Sequence, residues 1–163
     1  MPLPLHLSIH LFFALLSGYL AGKYFKNVPL GIFIGFCGGF LIDLDHVLEY
    51  FLVYGPHFNL LYFKQGRQFL SSGQTHIWFH AWEYLPILLG LGYLFRKNKT
   101  AKIIFFTLAF AGSIHLISDC LINQCSLEFY SLSYRAANGF SSEKILSPEN
   151  YRKNIELKQE LGI

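Results

Sequence analysis

The sequence predicts an all-α integral membrane protein, built as an up-down four-helix bundle with a short soluble helix near its C-terminus. Of the 163 residues, 53% are apolar and only 14% are charged, which is more hydrophobic than a soluble domain usually is. The apolar residues form four long segments, and all five acidic residues before position 120 and six of the seven histidines lie within them. These observations predict a membrane bundle that carries a polar site.

Four segments are long enough to cross a bilayer when their polar ends are included, since a spanning helix needs about 20 residues. They are residues 3–24, 28–54, 76–95 and 101–122. The second segment is interrupted by a polar run at 43–46. The connections at 24–28 and 96–100 are short, so the helices that they join are predicted to be antiparallel neighbours.

The organisation of the chain follows from these segments. We expect residues 1–125 to form the transmembrane metal-binding domain and residues 126–163 to form a polar tail outside the membrane. Within the tail, Ser147 followed by proline is typical of a helix start and Gly162 of a helix end. The tail is therefore predicted to contain one helix near 148–161.

The ionisable residues of the four segments fall at one depth. Counted from the two short turns, each segment has a polar residue 13–15 positions along its length, which is about 20–23 Å from the same membrane face. These residues are His10, Asp43, His80 and His115. Neighbouring polar residues are three or four positions apart and would share one helix face, and a bundle can turn all such faces inward. The sets are His6/His10, Asp43/His46, His76/His80/Glu83 and His115/Asp119.

Imidazole and carboxylate groups in one layer predict a metal site, because ionisable residues inside a membrane are costly and are usually paired or bound to a ligand. The expected ligands are His10, Asp43, His46, His76, His80, His115 and Asp119. His6 is interpreted as a residue of the membrane interface. These donors suit one or two divalent ions, zinc first, with manganese or iron as alternatives. Asp45 and Glu83 are the candidates for a catalytic general base or for orienting a ligating histidine.

The glycines of the second segment have a packing interpretation. Gly35, Gly38 and Gly39 are expected to let helices approach closely, as small residues do in membrane bundles. They do not form a phosphate-binding loop, because no strand precedes them and no lysine of such a loop accompanies them.

The basic residues predict how the bundle is oriented. The net charge of +3 is small and confined to loops, so binding of nucleic acid is not expected. The two short turns carry six basic residues, against Lys64 and Arg67 in the longer loop at 55–75. By the positive-inside tendency the short turns are cytoplasmic, and the metal layer and both termini face the extracytoplasmic side of a bacterial or archaeal cell membrane. The 55–75 loop is interpreted either as an interfacial lid or as a plain connector.

Two stretches resemble a known family. Residues 39–46 read Gly-Phe-Leu-Ile-Asp-Leu-Asp-His, and residues 113–119 read Ser-Ile-His-Leu-Ile-Ser-Asp. They are similar to the Asp-x-Asp-His and His-Leu-x-x-Asp elements of the predicted membrane-bound metal-dependent hydrolases of the YdjM type, which look distantly similar to zinc-dependent phospholipase C. His10 fits an early histidine of that family. Its middle element, His-Arg-Gly followed by Thr-His-Ser, is replaced here by His-Ile-Trp-Phe-His at 76–80.

The resemblance covers most of residues 6–122, and it implies a metal centre and a hydrolase activity. Together with the membrane segments it predicts hydrolysis of an ester or phosphoester, of a lipid or lipid-linked substrate, by metal-activated water. Two alternatives stay open: a non-catalytic metal-binding or metal-carrier membrane protein, and a di-iron membrane oxidase. The oxidase would also use a four-helix bundle, but the chain lacks the paired Glu-x-x-His motifs of the soluble versions.

Overall fold

The computed structural model describes residues 3–163, and every regular element in that range is helical. In chain order the α-helices are α1 (Leu3–Tyr24), α2 (Val28–Gly39), α3 (Leu44–Tyr54), α4 (Leu60–Lys64), α5 (Arg67–Ser72), α6 (Tyr84–Leu94), α7 (Lys99–Asn123), α8 (Leu132–Ala137), α9 (Ser142–Ile145) and α10 (Pro148–Glu160). Short 3-10 turns occupy Leu41–Asp43 and Leu127–Tyr130. The predicted all-α class is confirmed.

The helices are divided between two compact units. The first unit contains the residues up to Ile42 together with Ala81–Gln124, and it holds α1, α2, α6 and α7. The second unit contains Asp43–His80 together with Cys125–Ile163, and it holds the other helices. The C-terminal residues therefore belong to the same unit as α3 and the segment at 76–80.

Within residues 3–163, three stretches are long and apolar enough to cross a membrane: Leu3–Tyr24, Val28–Tyr54 and Lys99–Asn123. The fourth predicted segment is different, because only Tyr84–Leu94 of it is helical. These 11 residues extend about 16 Å at 1.5 Å per residue, well short of a hydrocarbon core of about 30 Å. The prediction of a continuous helix over 76–95 is wrong for its first half.

Residues 76–83 stay irregular because tertiary hydrogen bonds replace helical ones. In a helix each backbone N–H donates to the carbonyl four residues earlier. Here His76 N donates to Glu49 Oε2 at 3.3 Å, and Phe79 N donates to Asp45 Oδ2 at 2.9 Å. Ile77 has a φ of 20°, which lies outside the right-handed helical region. His76, His80 and Glu83 therefore do not form the helical face that their spacing predicts.

In the first unit, α1 and α2 pack backbone against backbone. A Cβ added to Gly18 would lie 2.6 Å from Gly31 O, and one added to Gly22 would lie 2.7 Å from Val28 Cα. The two α1 glycines are four residues apart, a spacing typical of closely packed membrane helices. Only glycine allows this approach of the two helices.

The C-terminal end of α2 packs against both α1 and α7, which confirms the packing interpretation of its glycines. A Cβ added to Gly35 would lie 2.7 Å from Ala14 O, and one added to Gly38 would lie 2.9 Å from Leu108 Cδ2. A Cβ on Gly39 would lie 2.9 Å from Ala14 Cβ and 3.5 Å from Ala111 Cβ. Gly39 is thereby placed between α1 and α7.

The last helix begins as its sequence predicts. Ser147 Oγ accepts a hydrogen bond from Asn150 N at 3.2 Å, and proline occupies the first turn of α10. One turn further on, Lys153 Nζ lies 2.8 Å from Glu149 Oε1. This hydrogen-bonded ion pair holds the pKa of Glu149 below its ordinary value.

Gly18→Ala tests the contact between α1 and α2. The added methyl group meets the backbone of α2, and overpacking of this kind typically costs about 1–3 kcal/mol. The matched control is Gly90→Ala on α6, where an added Cβ has no neighbour within 4 Å outside its own helix backbone. Better helix propensity is expected to stabilise the control by about 0.5–1 kcal/mol. Thermal unfolding in detergent, followed by circular dichroism, measures both; equal shifts of the two midpoints would contradict the contact.

Candidate metal centre

Histidine and aspartate side chains gather into one group in each unit. The first donor group, in the first unit, consists of His6, His10, His115 and Asp119. The second donor group, in the second unit, consists of Asp43, His46 and His80. Six of the seven ligands that the sequence predicts are in one or other group.

The first donor group lies next to the contacts that pack α1, α2 and α7, on the same helix faces. His10 is one turn before Ala14 on α1, and His115 is one turn after Ala111 on α7. Both alanines contact the position of Gly39. Because residues four apart share a helix face, the faces that bring α1 and α7 together end in the two histidines. Their rings lie with centroids 4.1 Å apart, which agrees with the predicted common depth on these two helices.

Asp119 lies at the centre of the first donor group. Its Oδ1 is 3.1 Å from His10 Nε2 and 3.6 Å from His6 Nε2, and its Oδ2 is 3.3 Å from His115 Nε2. His10, His115 and Asp119 are buried, whereas His6 is half-buried. His6 Nε2 is also 2.8 Å from His10 Nε2, so the residue interpreted as interfacial lies with the group.

The tautomer of His115 is set by the end of α2. His115 Nδ1 donates to Gly39 O at 2.9 Å. The last carbonyl groups of a helix lack partners within the helix, so an imidazole N–H satisfies one of them here. With its proton on Nδ1, neutral His115 presents the lone pair of Nε2 towards Asp119, as a metal-binding histidine does.

The second donor group forms where the polar run interrupts the second segment. Asp43 is the last residue of the 3-10 turn before α3, and His46 follows three residues later. Asp43 Oδ1 is 3.6 Å from His46 Nε2 and 3.3 Å from His80 Nε2. His80 is fully buried and comes from the irregular segment, so tertiary structure and not helical spacing places it there.

Asp45 orients His80. Its Oδ2 accepts hydrogen bonds from His80 Nδ1 at 2.8 Å and from Phe79 N at 2.9 Å. Both side chains are buried. A carboxylate that holds Nδ1–H directs the lone pair of Nε2 to the opposite side, which is the usual support of a metal-binding histidine. Of the two roles predicted for Asp45, this geometry matches the orienting one.

Glu49 holds His76 in the same way. His76 Nδ1 donates to Glu49 Oε1 at 2.9 Å, and His76 N donates to Glu49 Oε2 at 3.3 Å. His76, a predicted ligand, is a member of neither donor group among the described residues. The sequence did contain a signal for this pair, because Glu49 is four residues after Asp45 and shares its helix face.

Arg135 is a supporting residue that the sequence did not predict. Its buried guanidinium donates to three carbonyl oxygens: Phe129 O at 2.7 Å, Ile77 O at 3.0 Å and His80 O at 2.9 Å. It therefore holds the backbone of the irregular segment at Ile77 and at His80. No local pattern marks this role, because Arg135 is 55 residues beyond His80 in a stretch interpreted as a tail.

Glu83, the other predicted catalytic candidate, is half-buried and immediately precedes α6 in the first unit. Its role as a base stays a prediction.

The oxygen–nitrogen distances in the two donor groups are close to those around a tetrahedral metal ion. Two ligand atoms at zinc distances of about 2.0–2.2 Å would lie about 3.3–3.6 Å apart in a tetrahedron. The oxygen–nitrogen separations are 3.1–3.6 Å in the first donor group and 3.3–3.6 Å in the second. Imidazole nitrogen and carboxylate oxygen suit zinc, manganese and iron alike. The buried histidine and aspartate groups could therefore hold a metal ion whose identity the donors do not distinguish.

No family model matches the chain, and no curated protein or solved structure matches it either. The functional conclusion therefore depends on the chemistry of the residues themselves.

Arg135→Met tests the support of the second donor group. The substitution leaves three buried carbonyl groups without their charged donor, and we expect a destabilisation of roughly 3 kcal/mol or more. The control is Arg152→Met on α10, whose side chain is 73% exposed and whose loss is expected to change stability by no more than about 0.5 kcal/mol. Denaturant unfolding in detergent gives both values. Similar stabilities of the two variants would contradict the role of Arg135.

Proposed function

We propose that this chain is a multi-pass membrane protein that binds one or two divalent metal ions, zinc first among them, and hydrolyses an ester or phosphoester. The observation that carries the proposal is the burial of Asp119 among three imidazole Nε2 atoms at 3.1–3.6 Å. Burying ionisable groups is costly unless they are paired or coordinate a metal. These oxygen–nitrogen distances support coordination of a metal ion by Asp119 and the imidazole groups.

Exposed apolar side chains support the membrane location. Phe12 on α1, Phe33 on α2 and Leu121 on α7 expose 61%, 61% and 76% of their surface. The buried positions of α1 are small or polar, such as Ala14, Ser17 and His10. Apolar outer faces with small and polar inner contacts are typical of helices surrounded by lipid.

The chemistry of the donor groups supports hydrolysis. A bound divalent ion would lower the pKa of a water molecule and polarise a carbonyl or phosphoryl oxygen. His80 and His115 would bind it through Nε2, because their Nδ1 atoms donate to Asp45 and Gly39. Asp45 then acts by holding the imidazole of His80 in the orientation for binding.

The resemblance to the YdjM-type hydrolases supports the same proposal. Its Asp-x-Asp-His element supplies Asp43 and His46 of the second donor group and Asp45, which orients His80. Its His-Leu-x-x-Asp element supplies His115 and Asp119 of the first. A lipid or lipid-linked ester is the substrate that a site in a membrane protein would meet, and the basic short turns favour an extracytoplasmic site.

Labelling of introduced cysteines tests the membrane crossing of α7. After replacement of Cys37, Cys120 and Cys125 by serine, Asn98→Cys and Gln124→Cys mark the two ends of the helix. We expect a membrane-impermeant maleimide to label position 98 from the cytoplasmic side and position 124 from the other side, because 25 residues extend about 37 Å. Labelling of both positions from one side would exclude a spanning helix.

Metal content and hydrolysis, measured on one detergent-purified preparation, test the metal-dependent activity. Asp119→Ala is expected to lose the metal ion held by the first donor group and any hydrolysis that depends on that ion, because it removes the central carboxylate of that group. Asp45→Asn is expected to weaken metal binding by about 10–100-fold, since it removes the support of a ligand rather than a ligand. Glu128→Ala, an exposed carboxylate on a 3-10 turn, is the control.

Elemental analysis gives the metal, and bis(4-nitrophenyl) phosphate and 4-nitrophenyl acetate report hydrolysis. Bound metal without turnover would favour the carrier alternative, and visible absorption of bound iron would favour the oxidase. A preparation without any metal at saturating zinc, manganese or iron would refute the metal centre.

A further inference from the structure

We propose that His76 transfers the proton in the hydrolysis proposed above and that Glu49 is the positioning residue that sets the tautomer of His76. The proposal rests on the proposed function, because it assigns a role in the same hydrolysis. It replaces the interpretation of His76 as a metal ligand.

The two buried carboxylates of α3 bind the 76–80 segment by one repeated arrangement. Asp45 accepts a backbone N–H and the Nδ1–H of His80, and Glu49 accepts a backbone N–H and the Nδ1–H of His76. The carboxylates are four residues apart, which is about 6 Å along the helix axis. Each imidazole therefore has its Nδ1 towards α3, and the two carboxylates that hold them are one helical turn apart.

The imidazoles of His80 and His76 differ in the surroundings of their Nε2 atoms. His80 is fully buried, and its Nε2 lies 3.3 Å from Asp43 in the second donor group. His76 keeps 22% of its side chain exposed. Nδ1 of His76 faces the buried Glu49, so Nε2 lies on the opposite edge of the ring, and Nε2 is not among the buried polar atoms that lack a hydrogen bond. His80 is thus placed to bind a metal ion, and His76 is placed to meet a substrate.

Aromatic rings hold the plane of His76. The Trp78 ring is nearly parallel to it at 5.6 Å between centroids, and the Phe140 ring lies 4.8 Å away. Phe140 has a φ of 56°, a left-handed conformation that costs free energy for any residue except glycine. Hydrogen bonds from Thr75 N to Phe140 O and from Phe140 N to Arg135 O hold it there. Such strain persists only where the surrounding structure maintains it.

A histidine held in this way can move a proton in both directions. Neutral His76 has its proton on Nδ1 and a lone pair on Nε2, the arrangement of a general base supported by a carboxylate. The oxygen of a water molecule bonds to the phosphorus or acyl carbon while its proton passes to Nε2. The bond to the leaving oxygen then breaks with its electron pair on that oxygen, and Nε2 returns the proton to it. The products are an acid and an alcohol, and His76 is neutral again.

The neighbouring groups are less suited to this role. Glu49 is buried and already accepts two hydrogen bonds from His76, and Asp45 accepts two from the His80 end of the segment. His57 is exposed on the loop after α3, and its side chain is in neither donor group, which makes it the matched control.

The test compares His76→Gln, Glu49→Gln and His57→Gln in detergent-purified full-length protein. Metal content is measured by elemental analysis, and kcat and KM are measured with bis(4-nitrophenyl) phosphate and with diphenyl phosphate. We expect His76→Gln to keep its metal and its KM while kcat falls about 10²–10⁴-fold. The fall should be larger for diphenyl phosphate, because phenol is the poorer leaving group and needs the returned proton more. Glu49→Gln should lower kcat less, and His57→Gln should change nothing.

Nitrogen NMR of histidine-labelled, metal-free protein supplies a readout that does not need turnover. The His76 signals are those missing from His76→Gln, and they should show a protonated Nδ1 and an unprotonated Nε2 in the unmodified protein. Glu49→Gln should shift this tautomer, whereas His57→Gln should leave it unchanged.

The outcomes separate the two proposals. If the unmodified metal-loaded protein hydrolyses no ester, the proposed function fails and this assignment falls with it. If the protein is active and His76→Gln keeps its full kcat, only the assignment of His76 is refuted. Loss of metal from His76→Gln would make it a ligand and would also refute the assignment, as would an Nε2-protonated tautomer.

Discussion

A carboxylate removed from water must be met by hydrogen-bond donors or by cations, and three buried carboxylates determine how the polar parts of this protein are arranged. Asp119 in the first unit is surrounded by three imidazole groups. Asp45 and Glu49 in the second unit are each met by a backbone N–H and an imidazole N–H. Each buried carboxylate contacts one or more histidines. These contacts orient the nitrogen atoms that would bind a metal ion or move a proton.

The first unit shows how packing can position such groups in an apolar surrounding. Helices surrounded by lipid gain little from the hydrophobic effect when they associate, so close contact of small residues has to hold them together. Gly18, Gly31 and Gly39 provide that contact. The same faces of α1 and α7 continue into His10 and His115. A change in the glycine contacts would therefore move the donor atoms of His10 and His115.

In the second unit a loop positions His76 and His80, whereas in the first unit the histidines lie on helices. The 76–80 segment has no regular structure of its own, and α3 holds it from one side through two carboxylates. Arg135, from the C-terminal part of the chain, holds its carbonyl groups. A loop is suited to this task because it can present His76 and His80 with their Nδ1 atoms in equivalent positions on α3. Residues after 125 consequently support the candidate site through Arg135.

The sequence by itself determined the helical class, three of the four long apolar segments, the glycine contacts of α2 and the residues His10, His115 and Asp119 as one group. Each of these follows from short-range rules: length, hydrophobicity and a spacing of four residues on a continuous helix. The fourth segment and the placement of His76 and His80 did not follow, because side-chain carboxylates compete for the N–H groups that a helix would use. Only the tertiary structure decided that competition. Asp45 and Glu49 are about 30 residues from the N–H groups that donate hydrogen bonds to them, and Arg135 is 55 residues from His80. Contacts over such distances along the chain leave no periodic pattern in the sequence.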